Sequence, residues 1–236
     1  MESANFLRRH EIKYLLTQDQ YLHVRQAWQQ QIVPDIYGRS TVCSLYFDTP
    51  DFRLIRRSLS HPVYKEKLRL RSYGIPDDDG TVFLELKKKF DGVVYKRRAK
   101  MTHREAFDFL AQPRPYSRKT EEFSYFLRFY GCLRPTVFIA CERTAWIGLR
   151  EPDLRITFDS DIRWRDRELS LRDGAHGSPI LPADTVLMEV KTATAMPLWL
   201  TEVLTRERLF PTSFSKYGRA YEFILNRKSE GDQVYV

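Results

Sequence analysis

The sequence predicts an α+β fold, a closed antiparallel β-barrel of about eight strands with helices packed outside. Two observations carry it. Segments of alternating apolar and polar residues are joined mostly by hairpin signals, with no strand–helix alternation of the parallel, doubly wound kind. Charged residues also recur on one face of strand after strand while the other face stays apolar. The expected organisation is one domain over 1–228 and a polar tail over 229–236.

In chain order, the first strand is expected over 6–16, where Arg9, Glu11 and Lys13 oppose Ile12 and Tyr14. Thr17-Gln-Asp-Gln20 is a capping box that opens a helix over 18–31. A strand over 41–48 leads into Thr49-Pro50-Asp51, a cap, a Pro at the first helical position and an acid in the first turn of a helix over 50–59. Strands 63–73 and 81–90 flank the loop Gly74-Ile-Pro-Asp-Asp-Asp-Gly80, and the Asp91-Gly92 turn leads into strand 93–101. Thr102-His-Arg-Glu105 is a second capping box, for a helix over 103–111. Strands follow over 136–147, 153–164 and 185–192, and helical spacing marks 118–131, 197–206 and 215–228.

The segment Lys65-Glu66-Lys67-Leu68-Arg69-Leu70-Arg71 is the most informative. It sets Lys65, Lys67, Arg69 and Arg71 in one row and Leu68 and Leu70 behind them. Glu85, Lys87 and Lys89 stand opposite Leu84 and Leu86 in the same way, as do Arg155, Thr157 and Asp159 opposite Leu154, Ile156 and Phe158, and Glu189 and Lys191 opposite Met188 and Val190. Each strand taken alone reads as a half-solvated sheet face. A row of like charges is costly without an anion among them. A sheet of this size tends to curl, so the charged faces are expected to line an interior. Their cations outnumber the acids Glu11, Glu85, Asp159 and Glu189 by more than the +8 of the whole chain. Such a lumen calls for a rod-like polyanion. A double helix is too wide for a small barrel, and an oligophosphate chain fits.

Composition narrows the alternatives. With 39 Lys and Arg against 31 Asp and Glu, the partner is expected to be acidic. An apolar share of 42% is too high for a disordered chain, and no apolar run approaches the ~18 residues of a membrane span. Met1-Glu-Ser-Ala-Asn-Phe6 has no secretion-signal core, and three cysteines without C-x-x-C form neither a disulfide framework nor a zinc site, so a cytoplasmic location is expected. His10, His23, His61, His103 and His176 lack metal spacing, and both glycine-rich nucleotide signatures are missing. Ser213-Phe-Ser-Lys216 fits S-x-x-K without its companion motifs. Aromatic residues fall mostly on the apolar parity, so nucleic acid is not the expected partner.

Taken in order, Glu11-Ile-Lys13-Tyr14, Leu45-Tyr46-Phe47-Asp48-Thr49, Lys67-Leu-Arg69-Leu-Arg71-Ser-Tyr73-Gly74, Glu85-Leu-Lys87-Lys88-Lys89, Tyr95-Lys96-Arg97-Arg98, Glu142-Arg143-Thr144-Ala145, Arg155-Ile-Thr157-Phe-Asp159, Met188-Glu189-Val-Lys191 and Phe214-Ser215-Lys216-Tyr217 resemble the VTC domain. This is the polyphosphate polymerase branch of the triphosphate tunnel metalloenzymes, and the likeness runs from about residue 6 to 222. It implies a closed tunnel that binds triphosphate or polyphosphate with a divalent metal, Mg²⁺ or Mn²⁺, and moves the γ-phosphoryl of ATP onto a growing polyphosphate chain. Inorganic triphosphatase or polyphosphatase activity in the same tunnel, or non-catalytic polyphosphate binding, are the alternatives. The sister branch carries E-x-E-x-K on its first strand, and Arg9 here makes it R-x-E-x-K.

The resemblance assigns catalytic roles to Lys13, Arg69, Arg71, Lys87 and Glu189, with Glu189 as main metal ligand and Glu11 as helper. Substrate phosphates are expected on Lys67, Lys89, Lys96, Arg98, Arg143, Arg155, Lys191, Ser215, Lys216 and Arg219. Residue chemistry agrees. Arginine forks suit bidentate phosphate contacts. Ser215 can cap the last helix, whose N-terminus favours an anion. Mg²⁺ needs only one or two carboxylates beside phosphate oxygens.

Overall fold

The computed structural model describes residues 10–60, 62–91 and 93–232. The readings of Arg9, His61 and the last residues of the tail lie outside them. Nine strands and six helices make up the described chain. These are β1 (His10–Thr17), α1 (Gln18–Ala27), β2 (Ile32–Asp48), α2 (Arg53–Leu59), β3 (Tyr64–Tyr73), β4 (Thr81–Phe90), β5 (Val93–Thr102), α3 (His103–Ala111), α4 (Arg118–Tyr130), β6 (Arg134–Gly148), β7 (Arg155–Arg165), β8 (Ser178–Pro179), β9 (Thr185–Thr192), α5 (Leu198–Arg206) and α6 (Lys216–Asp232). The class is α+β with an antiparallel sheet, as the hairpin signals predict.

The chain divides into two compact units. The first takes the described residues up to 40, 141–162 and 181–214. Its strands neighbour one another in the order β1-β9-β7-β6-β2. Its core gathers Tyr14, Leu16, Ile156, Phe158, Met188 and Val190 from the apolar strand parity, with Val24 and Trp28 at α1 and Leu200 and Val203 on α5. The second unit takes 41–140, 163–180 and 215–232, with strand order β6-β2-β3-β4-β5 and β8 paired to the end of β7. Its core sets Leu45, Leu68, Leu70, Val82, Leu84 and Leu86 against Phe109 of α3 and Phe123 and Phe126 of α4. Each fully buried leucine contributes about 1.5–3 kcal/mol.

The closed barrel is corrected in one respect. The hydrogen-bonded path ends at β1 and β5, and no ladder joins those two among the described residues. Each edge has a physical reason. On β1 the carbonyl of Lys13 accepts from the backbone N–H of Thr212 at 2.8 Å, so a connecting segment occupies that edge. On β5 Lys96, Arg97, Arg98 and Lys100 are exposed, and a run of like charges resists further pairing.

Both capping boxes form as read, at Thr17 with Gln20 and at Thr102 with Glu105. Helix α1 ends at Ala27, four residues before the expected 31, because Gln31 and Ile32 donate back to the Trp28 carbonyl and turn the chain into β2. That strand begins at Ile32, well before 41; Pro34, Gly38 and the polar residues around them hide its first half. Helix α2 starts at Arg53 rather than Pro50, since Phe52 takes a left-handed φ of 58°. Thr49 Oγ1 accepts from Arg53 N at 2.9 Å, and the buried Asp48 carboxylate accepts from Leu54 N at 2.8 Å and Ile55 N at 3.0 Å. The same carboxylate accepts from the Tyr217 hydroxyl of α6 at 2.8 Å, which also meets Thr136 Oγ1 at 3.0 Å.

Asp48 ties α2 and α6 to the end of β2 through these bonds. Burial raises its pKa, and the bonds from Leu54 and Tyr217 only partly offset that. Removing the Tyr217 hydroxyl leaves a buried carboxylate oxygen short of a donor. Tyr217→Phe is therefore expected to lose about 1–3 kcal/mol in urea unfolding at pH 7. Unchanged stability would show that the bond carries nothing.

Candidate functional site

Alternation on β3, β4 and β5 and their register build a grid on one face of the second unit. Lys67 pairs with Lys87 and Lys87 with Lys96, so three lysines form one rung. Two residues along, Tyr46, Arg69, Glu85 and Arg98 form the next. Ser44 and Arg71 begin the rung beyond, and Lys65 pairs with Lys89 on the other side. The opposite parity of the same strands is the buried leucine face. The strand register thus places Lys67, Lys87, Lys89, Lys96, Arg69, Arg71 and Arg98 on one face of the sheet.

Glu85 is the hub of the grid and is 1% exposed. Its Oε2 accepts from Arg69 Nε and Nη2, both at 2.7 Å, and lies 3.9 Å from Arg71 Nε. Its Oε1 meets Lys96 Nζ at 2.6 Å and Arg98 Nε at 2.7 Å. Burial alone would raise the Glu85 pKa; Arg69, Arg71 and Lys96 outweigh it and hold the carboxyl far below its ordinary range. Burial also lowers the Lys96 pKa, with Glu85 opposing and the like charges of Arg69 and Arg98 adding. Further N–H groups of the three arginines donate to hydroxyl oxygens. Arg69 Nη1 donates to Tyr46 Oη at 3.2 Å, Arg98 Nη2 to Tyr73 Oη at 3.1 Å, and Arg71 Nε to Ser44 Oγ at 3.3 Å. Burial raises the Tyr46 pKa, but Arg69, Arg71 and Lys216 overcome this and bring it below its ordinary value.

The start of α6 belongs to the same unit. Ser215 Oγ accepts from Gly218 N at 3.1 Å, the cap the sequence predicts, and from Lys67 Nζ at 3.0 Å. Lys216 follows as the first helical residue. Arg219 stays apart from the grid and pairs with Glu222 on its own helix at 2.5 Å.

The first unit holds a different, charge-balanced cluster. Glu11, Lys191 and Arg155 lie on one rung across β1, β9 and β7, and Lys13, Glu189 and Thr157 on the next. Signs therefore alternate along β1 and β9 and between them, while Arg155 stands beside Lys191. Lys13 Nζ lies 3.5 Å from Glu11 Oε1 and 3.8 Å from Glu189 Oε1, and donates to the Phe214 carbonyl at 2.8 Å. Lys191 Nζ donates to Glu189 Oε2 at 2.8 Å. Arg143 grips the fully buried Asp159 with both ends of its fork, at 2.5 and 2.6 Å. Burial would lower the Arg143 pKa, and Asp159 raises it well above its ordinary value instead. Arg155 Nη2 pairs with Asp35 at 2.6 Å.

Asp35 lies in the first half of β2, whose mixed polarity gives no strand signal. Tyr46, Tyr73 and Ser44 could have been found: Ser44 and Tyr46 share the parity that faces Arg71 and Arg69 in the register.

The donor set fits a hard divalent cation. Glu11 and Glu189 would supply oxygen ligands, and both converge on one cationic atom, Lys13 Nζ. No group of three or more His, Cys, Asp or Glu suited to a metal occurs among the described residues, so remaining ligands would come from substrate or water.

Fold and side chains define an α+β protein whose antiparallel sheet displays an ordered grid of cations. The chain belongs to the VTC domain family, whose model matches residues 8–225. No curated protein matches significantly. Among solved structures, a protein from Bacillus halodurans provisionally described as an adenylate cyclase is similar at 13% identity and a TM-score of 0.54, over 88% of this chain and 95% of that one. A protein from Vibrio parahaemolyticus with the same provisional description gives 11% identity and a TM-score of 0.50, over 90% and 97%. A plant protein from Hippeastrum, provisionally called an adenylyl cyclase and described as having a dominant triphosphatase activity, gives 17% identity and a TM-score of 0.50, over 89% and 94%. At these identities the likeness shows the fold. No helix among the described residues is long and apolar enough to cross a membrane.

The depressed Glu85 pKa fixes a pH dependence. The folded protein keeps Glu85 ionised in acid where the unfolded chain takes up the proton, at an ordinary value of 4.5. The unfolded state then binds more protons, so this stabilisation is fully present above that pH and is lost as pH falls below it. Glu85→Gln is expected to be less stable than wild type at pH 7, with the gap narrowing between about pH 5 and 3 in parallel denaturant titrations. A pH-independent gap would contradict the assignment.

Proposed function

We propose that the protein is a metal-dependent polyphosphate polymerase that transfers the γ-phosphoryl group of ATP onto inorganic polyphosphate. The cation grid of the second unit carries this reading. Rungs of Lys67, Lys87 and Lys96 and of Arg69 and Arg98 repeat along the strands at a spacing set by the pleat, about 6.6–6.8 Å. A linear anion with charge at every unit can reach successive rungs along its length; membership of the VTC family supports the same choice.

Arg69, Arg71, Lys87, Lys96 and Arg98 bind and align the phosphates, Lys67 and Lys89 extend the row, and Ser215 and Lys216 meet the chain at the start of α6. Arg219, paired on its own helix, contributes at most long-range charge. In the first unit Lys13, Lys191, Arg143 and Arg155 neutralise phosphate oxygens as their carboxylate partners permit. Glu189 with Glu11 would hold Mg²⁺ or Mn²⁺, which supplies further charge neutralisation on phosphate oxygens when bound. The attacking group is a terminal phosphate oxygen of the acceptor chain, and it is already ionised. No strong general base is needed. The side chains act by positioning and by stabilising charge as it moves to the leaving ADP.

Hydrolysis of triphosphate is the competing reaction, with water in place of the acceptor and Glu11 as the acid available to orient it. Incubation of the purified protein with ATP and Mn²⁺ tests the proposal. Long phosphate chains with ADP are the expected products; orthophosphate alone would assign a hydrolase, and no turnover would leave a binding module. Arg71→Glu is expected to lower turnover at least 100-fold, or about 2.7 kcal/mol, while the protein stays folded by circular dichroism. A variant with normal turnover would remove the grid from the reaction.

A further inference from the structure

A cation grid aimed at phosphate would be expected to leave its donors for the substrate, and Glu85 instead takes the strongest of them. Its carboxylate engages Arg69 through both Nε and Nη2, Arg98 through Nε and Lys96 through Nζ. The N–H groups that the carboxylate leaves, Arg69 Nη1 and Arg98 Nη2, donate to the phenols of Tyr46, a buried ring stacked on Tyr217, and of the exposed Tyr73. A carboxylate with several charge-assisted bonds in a buried setting is costly to displace. A neutral phenol accepting one bond is not.

We propose that Glu85 is a resident counter-anion that clamps the inner edges of Arg69 and Arg98, and that substrate phosphate enters by displacing the Tyr46 and Tyr73 hydroxyls rather than Glu85. Glu85 is thus a positioning residue, not a metal ligand. Four cations surround it, and a divalent ion placed there would be repelled by all of them. Two consequences follow from charge and geometry. The clamp orients the arginine planes, which favours turnover. Its negative charge also opposes the substrate's, which weakens binding and lets product leave.

The inference rests on the polyanion reading of this grid and deepens it. The test is binding of inorganic tripolyphosphate to the full-length protein by titration calorimetry, paired with steady-state kinetics on ATP. Glu85→Gln is expected to bind tripolyphosphate at least tenfold more tightly while kcat falls at least tenfold, a split that a general loss of structure does not produce. Glu85→Asp keeps the charge and shortens the reach, so its affinity should return to within a few fold of wild type while kcat stays low. Equal or weaker binding by Glu85→Gln would overturn the inference and leave the proposed function standing. Wild-type protein that binds no tripolyphosphate would overturn both.

A second measurement needs no variant at Glu85. In the wild type, the nitrogen-15 Nε–H signals of Arg69 and Arg98 should stay in place on adding tripolyphosphate, while the carbon-13 ring signals of Tyr46 and Tyr73 move. Large shifts of the Nε–H signals with unmoved tyrosines would mean that the carboxylate, not the phenols, gives way.

Discussion

A single buried carboxylate, Glu85, holds four cationic side chains on one face of β3, β4 and β5. Removing a carboxylate from water costs several kcal/mol, and only the surrounding positive charge makes its burial tolerable. The converse holds as well. Arg69, Arg71, Lys96 and Arg98 could not stand on adjacent strands without an anion among them. The leucine face behind them fixes which way each side chain points, since a shift of one residue would bury the cations and expose the leucines. Hydrophobic register and charge compensation are therefore one constraint, acting on opposite faces of the same strands.

The two units answer the same problem differently. In the first, Glu11, Glu189, Asp159 and Asp35 match Lys13, Lys191, Arg143 and Arg155 closely in number and position. In the second, one carboxylate serves many cations, and Lys67 and Lys87 add to the excess. The positive excess is thus local. Under the proposed function, the metal ion accordingly belongs with the first kind of cluster, where carboxylate oxygens converge, and the phosphate chain with the second.

Much of this was legible from alternation alone. The parity of Lys67, Arg69 and Arg71 against Leu68 and Leu70, and of Glu85 and Lys87 against Leu84 and Leu86, is a local property that a strand cannot hide. The capping boxes at Thr17 and Thr102 were readable for the same reason, because donor and acceptor lie three residues apart. What escaped depends on contacts distant in sequence. The first half of β2 has mixed polarity, so Asp35 and its pairing with Arg155 gave no signal. The open ladder follows from Thr212 bonding to Lys13, some 200 residues earlier, which no spacing rule reports. That Arg69's fork is engaged by Glu85, on the neighbouring strand, is likewise a tertiary fact.

The account turns on whether phosphate sits on the cation-bearing face of β3, β4 and β5. A crystal structure of the protein soaked with tripolyphosphate tests this directly. The account places phosphate oxygens within hydrogen-bond distance, about 2.7–3.2 Å, of Arg69, Arg71, Lys87 and Lys96. Phosphates bound only on the opposite face, beside Lys88 and Arg97 where Glu122 now pairs with both, would contradict it.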